Sequence, residues 1–327
     1  MKIIPNNELN RDAWDLLIAT SEQGNFYALS WYLDIVSPGW SAIVEGTHQE
    51  YRIGIPLPVT RKWGFRILKQ PLFCQQLGIY SITQPTQDVV AEIVNLITRK
   101  FNYIIKYSFS NFNTPRLLSG SLSENLNVVL NLNQPYDVLK SNYKRDRKYR
   151  LMQVLNSNVF TQESNSLEEL ICMFKENGEK KIYGGVSSTA YEMLHQIFYE
   201  TATRGLANLI YAKVPPDKII AGALFIKFKN RITYMFNAGY SEFVKLNGRT
   251  LILDSVIRKY QNQPLLLDFE CPGLKNISTF YRSFGGLDEI YLSLSQNHLP
   301  WPVKKIHAMR KKYYERDLYD KSARNGS

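Results

Sequence analysis

Two carboxylates and a phenol are spaced for proton transfer within residues 264–286, PLLLDFECPGLKNISTFYRSFGG. The segment reads as a buried strand, a Cys-Pro-Gly turn and a short helix that stops at a double glycine. Asp268 and Glu270 sit where the apolar run ends, and their spacing of two places them on one side of an extended strand. If they are buried together, the pKa of one rises, and that carboxylate becomes a usable general base for a substrate amine. Glu270, nearer the strand end, is the better placed. Tyr281, one helical turn before Gly285, sets an aromatic hydroxyl beside the two carboxylates. The same residues also admit structural roles. One carboxylate would cap the Pro272-Gly273 turn and the other would pair with Arg282 or Lys275. Tyr281 would then be a core tyrosine with one satisfied hydroxyl.

The second set of chemical groups is cationic. The chain carries a formal net charge of +11, unevenly placed. Residues 140–150, KSNYKRDRKYR, hold six basic residues against one acid, and residues 304–327 hold eight against three. The remainder is near neutral. Two local patches fit an anionic ligand or a lipid surface at least as well as a long duplex. In the first patch Lys144, Arg147 and Lys148 could bind the phosphates of a nucleotide-linked substrate or a transfer RNA. Tyr143 and Tyr149 would stack on bases or pack within the helix. Most of this cluster also fits a plain solvated helix face.

Several chemistries find no support. No Gly-x-Ser-x-Gly nucleophile motif is present, so covalent catalysis is not favoured. His48, His195, His298 and His307 lack metal-ligand spacing. Cys74, Cys172 and Cys271 are too scattered for a zinc site or a disulfide framework, so no metal is expected. No run of eighteen apolar residues occurs, and residues 1–14 do not read as a secretory signal. A cytoplasmic protein is expected. A reaction without a covalent intermediate needs only positioning, one proton acceptor and an oxyanion donor.

The elements that position these residues are clearer in the second half. Residues 139–155 read as helix and 159–162 as a short strand. A capping box at Ser166-x-x-Glu169 opens a helix ending near Gly178, and a second helix follows Thr189-x-x-Glu192. Strands at 208–214, 219–228 and 231–238 are joined by turn chemistry into antiparallel hairpins. A helix over 249–260, a strand over 264–270 covered on both faces, a helix and a strand over 289–295 follow. The first half repeats this order with strands at 41–46, 51–59 and 64–70, a helix at 88–101 and a strand at 103–109. Two copies of one αβ unit are expected. The break falls near Gln134-Pro135, giving units 1–134 and 135–303 and a basic helix and tail at 304–327.

This order resembles the GNAT acyltransferase fold, and two such units in one chain look like the Fem-type aminoacyltransferases and their GNAT-like bacterial relatives. The motif resemblance lies in the second half. DFECPGLKNISTFYRSFGG is similar to the family's Asp-Phe-Glu-like strand end followed by Phe-Tyr/Lys-x-x-Phe-Gly. Tyr281 and Gly285 keep the family's spacing, whereas Asn276 lies closer to the tyrosine than usual. The family's phosphate loop, Gln/Arg-x-x-Gly-x-Gly/Ala, resembles Lys245-Leu-Asn247-Gly248-Arg249-Thr250. There Gly248 would let the backbone approach a pyrophosphate, free amides would point at it, and Lys245 and Arg249 would add charge. Thr250, in place of a small residue, would crowd that approach. A polar loop capping a helix is the plainer reading. Residues 84–88 of the first half contain no glycine, so the second unit is expected to keep the ligand site.

The resemblance implies an α/β protein of two GNAT-like units, each a mixed, mostly antiparallel sheet flanked by helices. It also implies transfer of an acyl or aminoacyl group from acyl-CoA or aminoacyl-tRNA to an amine of a small molecule or cell-envelope precursor. Glu270 or Asp268 would take the amine proton and Tyr281 would assist the leaving group. Transfer RNA, and a membrane surface met through the basic tail, are the partners this allows. Two other readings stay open: a GNAT-fold protein that binds a ligand without catalysis, and a nucleic-acid-binding protein using both basic patches.

Overall fold

The computed structural model describes residues 1–62, 64–113, 121–182 and 185–301. The basic helix and tail expected at 304–327 lie outside the described residues. The first half contains β1 (Lys2–Pro5), α1 (Arg11–Thr20), α2 (Ser30–Val36), β2 (Ser41–Gly46), β3 (Tyr51–Leu57), β4 (Val59–Lys62), β5 (Phe65–Lys69), β6 (Tyr80–Ser81), α3 (Gln87–Lys100), β7 (Tyr103–Ser108) and β8 (Ser121–Asn131). The second half contains α4 (Tyr136–Ser141), α5 (Arg145–Leu155), β9 (Phe160–Ser164), α6 (Glu168–Asn177), α7 (Ser188–Thr203), β10 (Ala207–Val214), β11 (Lys218–Phe228), β12 (Arg231–Gly239), α8 (Gly248–Lys259), β13 (Leu266–Asp268), α9 (Lys275–Arg282) and β14 (Leu287–Asn297).

The repeat expected from the pattern is visible in the strand pairing. β5 pairs in parallel with β7 across α3, and β12 pairs in parallel with β13 across α8. The closing strands are then exchanged. β8, from the first half, pairs with β13, while β14, from the second half, pairs with β7. β8 and β14 also pair with each other, from Leu287 opposite Val129 to Ser295 opposite Ser121. The result is one ten-stranded sheet, ordered β4-β5-β7-β14-β8-β13-β12-β11-β10-β9, beside a four-stranded sheet, β1-β2-β3-β6. The protein is therefore α/β, with two mixed, mostly antiparallel αβ units flanked by helices, as the sequence leads one to expect.

Apolar side chains cover the ten-stranded sheet on both faces. Trp14, Tyr107, Leu170, Leu194 and Leu224 belong to one buried cluster, to which both halves contribute. Leu151, Ile252, Leu267, Phe269 and Phe284 belong to another, which joins α5 and α8 to the opposite face.

Five local expectations change, one of them the helix start at Thr189: α7 begins at Ser188, and the Ser187 side chain caps it by accepting from Ala190 N. The strand expected over 51–59 divides at Pro58, where β3 ends in the small sheet and β4 begins in the large one. Proline has no N–H to continue a ladder, and its carbonyl instead accepts from Lys69 N. The helix expected over 139–155 is two helices, because Lys144 N is drawn to Ser283 O, at 2.9 Å. Ser166 does not cap α6; that helix starts after Leu167 with no side-chain cap. The strand expected over 264–270 has regular pairing only at Leu266–Asp268. The reason for that early end lies in the candidate site.

Candidate functional site

β12 and β13 pair only from Arg231–Leu266 to Thr233–Asp268. Beyond that point β12 continues to Gly239, while the other chain bends away. The bend is held by side chains. Asp268 Oδ1 accepts from Glu270 N at 2.8 Å and from Asn127 Nδ2 at 2.9 Å. Asn127 Oδ1 accepts from Cys271 N at 2.9 Å. Glu270 is thereby fixed at φ 47°, a left-handed conformation that costs a residue with a side chain roughly 1–3 kcal/mol. On β12, Leu224 stands opposite Phe236 but Phe225 opposite Tyr234, so Met235 is the extra residue of a bulge. The strands splay into a wedge from both sides.

Asp268 and Glu270 lie together, as their spacing suggests, but in different settings. Asp268 is buried and accepts from Arg231 Nη1 at 2.6 Å. Arg231 Nη2 also reaches Glu289 Oε1 at 2.9 Å. Both Asp268 oxygens are thus engaged in holding the turn. The partner is Arg231, not Arg282 or Lys275, since Arg282 pairs with Asp288. Among the described residues, Glu270 Oε2 is buried without a hydrogen-bonding partner. Burial first, then the Asp268 charge, pushes its carboxyl well above the usual range. The Tyr27 hydroxyl opposes this rise by favouring the ionised form, yet among the described residues it too completes no hydrogen bond.

Glu270 borders a cleft of about 800 Å³ shared with Tyr281, Tyr234, Tyr291, Lys106 and Glu124. Tyr281 is buried, its ring stacked on Phe269 at 4.7 Å and edge-on to Tyr234 at 6.0 Å. Burial, then the neighbouring Tyr234 and Cys271, raises its phenol pKa well above normal. Tyr281 therefore packs as a core residue and faces the cleft as well. Burial lowers the pKa of Lys106, whose Nζ donates to Asn125 Oδ1 at 3.2 Å.

A second cavity, of about 500 Å³, joins two groups that are distant in sequence: Lys144, Arg147 and Arg150 at the start of α5, and Asn247 to Thr250 at the start of α8. Arg147 is only 4% exposed. It donates to Ser283 Oγ at 2.8 Å and Thr250 Oγ1 at 2.6 Å, and its guanidinium lies 4.4 Å from the Phe280 ring centre. Among the described residues no carboxylate pairs with it. Burial lowers its pKa to about 10. The first turn of α8 has no side-chain cap, so its amides and the helix dipole add to an anion-attracting corner.

The loop residues differ in role. A Cβ on Gly248 would stand 3.1 Å from Ala212 Cβ and 3.2 Å from Ala221 Cβ. The missing side chain thus permits close packing of α8 on β10 and β11, and Gly248 also lines the cavity. Asn247 supplies the left-handed turn, at φ 57°. Thr250 is buried, and its hydroxyl faces Arg147, so it supports the cation instead of crowding the site. Arg249 lines the cavity, while Lys245 is exposed and does not. Lys148 turns away, with Nζ donating to Ser141 O at 2.6 Å. Tyr143 is buried and donates to Asp254 Oδ1 at 3.0 Å, leaving no face for a base to stack on.

The two cavities lie on different faces of α9. Thr279, Phe280 and Ser283 border the cationic one, and Ile277 and Tyr281 the cleft. FemX is similar over 94% of this chain and 99% of its own, with a TM-score of 0.64 at 10% identity. The fold is GNAT-like, of the Fem type. The C-terminal domain of a putative lysylphosphatidylglycerol synthetase from Agrobacterium fabrum matches 89% of this chain and 92% of its own, with a TM-score of 0.54 at 10% identity. A tandem GNAT protein from the clavulanic acid biosynthesis pathway matches 91% and 99%, with a TM-score of 0.50 at 10% identity. No family model matches the sequence, and no curated protein does. Among the described residues, no helix is long and apolar enough to cross a membrane, and no His, Cys, Asp and Glu cluster could hold a metal ion.

The GNAT-like frame brings in residues that sequence reading missed. Arg150 lies one turn after Arg147, so helical spacing could have found it. Lys106 interrupts an apolar strand, YIIKYS, which is a weaker signal. Tyr27 gives none, since only the folded chain carries it to Glu270.

Proposed function

We propose that the protein transfers an acyl or aminoacyl group to an amine. The donor's phosphates would occupy the cavity at the start of α8, and the acceptor amine the cleft beside Glu270. The observation that carries this reading is Arg147, a buried guanidinium with no carboxylate partner among the described residues, in a cavity beside the uncapped first turn of α8. A buried unpaired cation is costly unless an anion completes it. Acyl-CoA offers a pyrophosphate and aminoacyl-tRNA a phosphate backbone, so the same corner suits either donor. Lys144, Arg150 and Arg249 would extend the contact.

The reaction would run along the wedge between β12 and β13. The amine nitrogen attacks the acyl carbonyl and a carbon–nitrogen bond forms. Glu270, its carboxyl pKa pushed up by burial, takes the proton that nitrogen loses. Tyr234 Oη is buried without a partner among the described residues and borders the cleft, so it is the donor at hand for the developing oxyanion. The carbon–sulfur or carbon–oxygen bond then breaks, and Tyr281 protonates the leaving atom. Asp268, with both oxygens engaged, would position Glu270. The first unit would wall the cleft through Gln70 to Gln75 and Lys106. The acceptor is an amine of a small molecule or cell-envelope precursor, and transfer takes place in the cytoplasm.

Incubation of the purified protein with acyl-CoA or charged tRNA and a panel of amines tests this. Thiol release, or RNase-sensitive transfer of the aminoacyl group, that disappears in Glu270→Gln is expected. Absence of both over the panel would overturn the reading.

A further inference from the structure

A second cationic cavity, of about 560 Å³, lies far from the wedge, where the chain leaves the small sheet for the large one at Pro58. Its walls come from β1, the turn before β2, β4, β5 and the end of α3. Arg61, Arg66 and Lys100 line it, and no aspartate or glutamate does.

Arg61 and Arg66 are register partners across β4 and β5. Like charges directly opposite on neighbouring strands destabilise the pair. Arg66 is half-buried, with Nε buried and unpartnered among the described residues and its guanidinium 5.8 Å from the Phe101 ring centre. Neither arginine forms an ion pair among the described residues. β4 is an edge strand, and edge cations discourage stray strand addition. That explains Arg61, but not an opposing arginine with a buried donor left unmade. An anion between them removes the repulsion and accepts from the accessible ends of two forked guanidinium groups. Ile3, Pro5 and Val59 give the cavity an apolar wall. Its size falls within the range of small-ligand pockets.

We infer that this cavity is a binding site for a phosphate-bearing small molecule or head group, with Arg61 and Arg66 gripping the phosphate. The site is separate from the transfer cavity and stands or falls independently of the transfer reading.

The test uses the full chain with three probes: inorganic phosphate, glycerol 3-phosphate, and vesicles of equal phosphatidylglycerol and phosphatidylcholine. Affinity is read by calorimetry or sedimentation for the wild type, Arg61→Gln and Arg66→Gln. Loss of one charged fork is expected to weaken binding about tenfold. In phosphate-free buffer Arg61→Gln should melt no lower than the wild type, because the repulsion is gone; this also shows that the variant folds. Binding of glycerol 3-phosphate but not vesicles assigns a free ligand, and the reverse assigns a lipid head group. Equal binding by all three proteins, or phosphate effects matched by chloride, would overturn the inference.

Discussion

The Glu270 carboxyl faces the Tyr27 hydroxyl, one from each half of the chain, and among the described residues neither Glu270 Oε2 nor Tyr27 Oη completes a hydrogen bond. The proposed base is therefore tuned by a residue more than two hundred positions away. Tyr27→Phe removes the group that favours the ionised carboxylate, so the carboxyl pKa should rise further. The rising limb of the pH–rate profile should move to higher pH. Stability should be unchanged or rise by about 1 kcal/mol, since an unpaired buried hydroxyl is removed. An unmoved limb would deny the coupling.

Glu270 also makes stability depend on pH with a definite sign. Its folded-state pKa is raised above the ordinary value of about 4.3. Between the two values the folded state holds a proton that the unfolded state releases, so stability falls as pH rises through that window. Glu270→Gln lacks this loss. Its stability relative to the wild type should grow by about 1.4 kcal/mol for each pH unit the window spans, and be flat below it. Urea unfolding at a series of pH values reads this directly.

Asp268 and Glu289 share Arg231 in a nearly water-free network. Arg231→Met leaves two buried carboxylates uncompensated. A loss of about 3–5 kcal/mol at neutral pH is expected, with partial recovery at low pH as the carboxyls protonate. Unfolding midpoints at neutral and acid pH check it. A loss below about 1 kcal/mol would mean the turn carrying Glu270 is held some other way.

Gly248→Ala tests the packing role of that glycine. The added methyl would press on Ala212, Ala221 and Ile220, costing about 1–3 kcal/mol by overpacking. Thermal melting should show a clear drop even without ligand. A glycine serving only ligand approach would leave the melt unchanged and lower affinity alone.

The fold was legible because its signals are local. Apolar periodicity marks the helices, and turn chemistry at Lys229-Asn230 marks a hairpin. The strand exchange of β8 and β14 was not legible, because pairing between residues 121–131 and 287–297 leaves no local trace. Nor was the break at Asn142, which a distant carbonyl, Ser283 O, produces. At the candidate site, Glu270 was singled out by its place at a strand end and Arg147 by its charged helix. Lys148 was chosen with Arg147 but lies elsewhere on the helix. Thr250 looked obstructive because its type was visible and its direction was not. Asp268 was kept as a candidate base behind Glu270, since the arginine that occupies it lies thirty-seven residues earlier.

The most direct test of donor and acceptor sites on different faces of α9 is equilibrium binding of coenzyme A and of aminoacyl-tRNA to three proteins: wild type, Arg147→Ala and Glu270→Gln. The expected result is that one donor binds, that Arg147→Ala weakens it about tenfold or more, and that Glu270→Gln leaves its affinity unchanged while transfer stops. Donor affinity untouched by Arg147→Ala in a folded protein, or lost with Glu270→Gln, would contradict it.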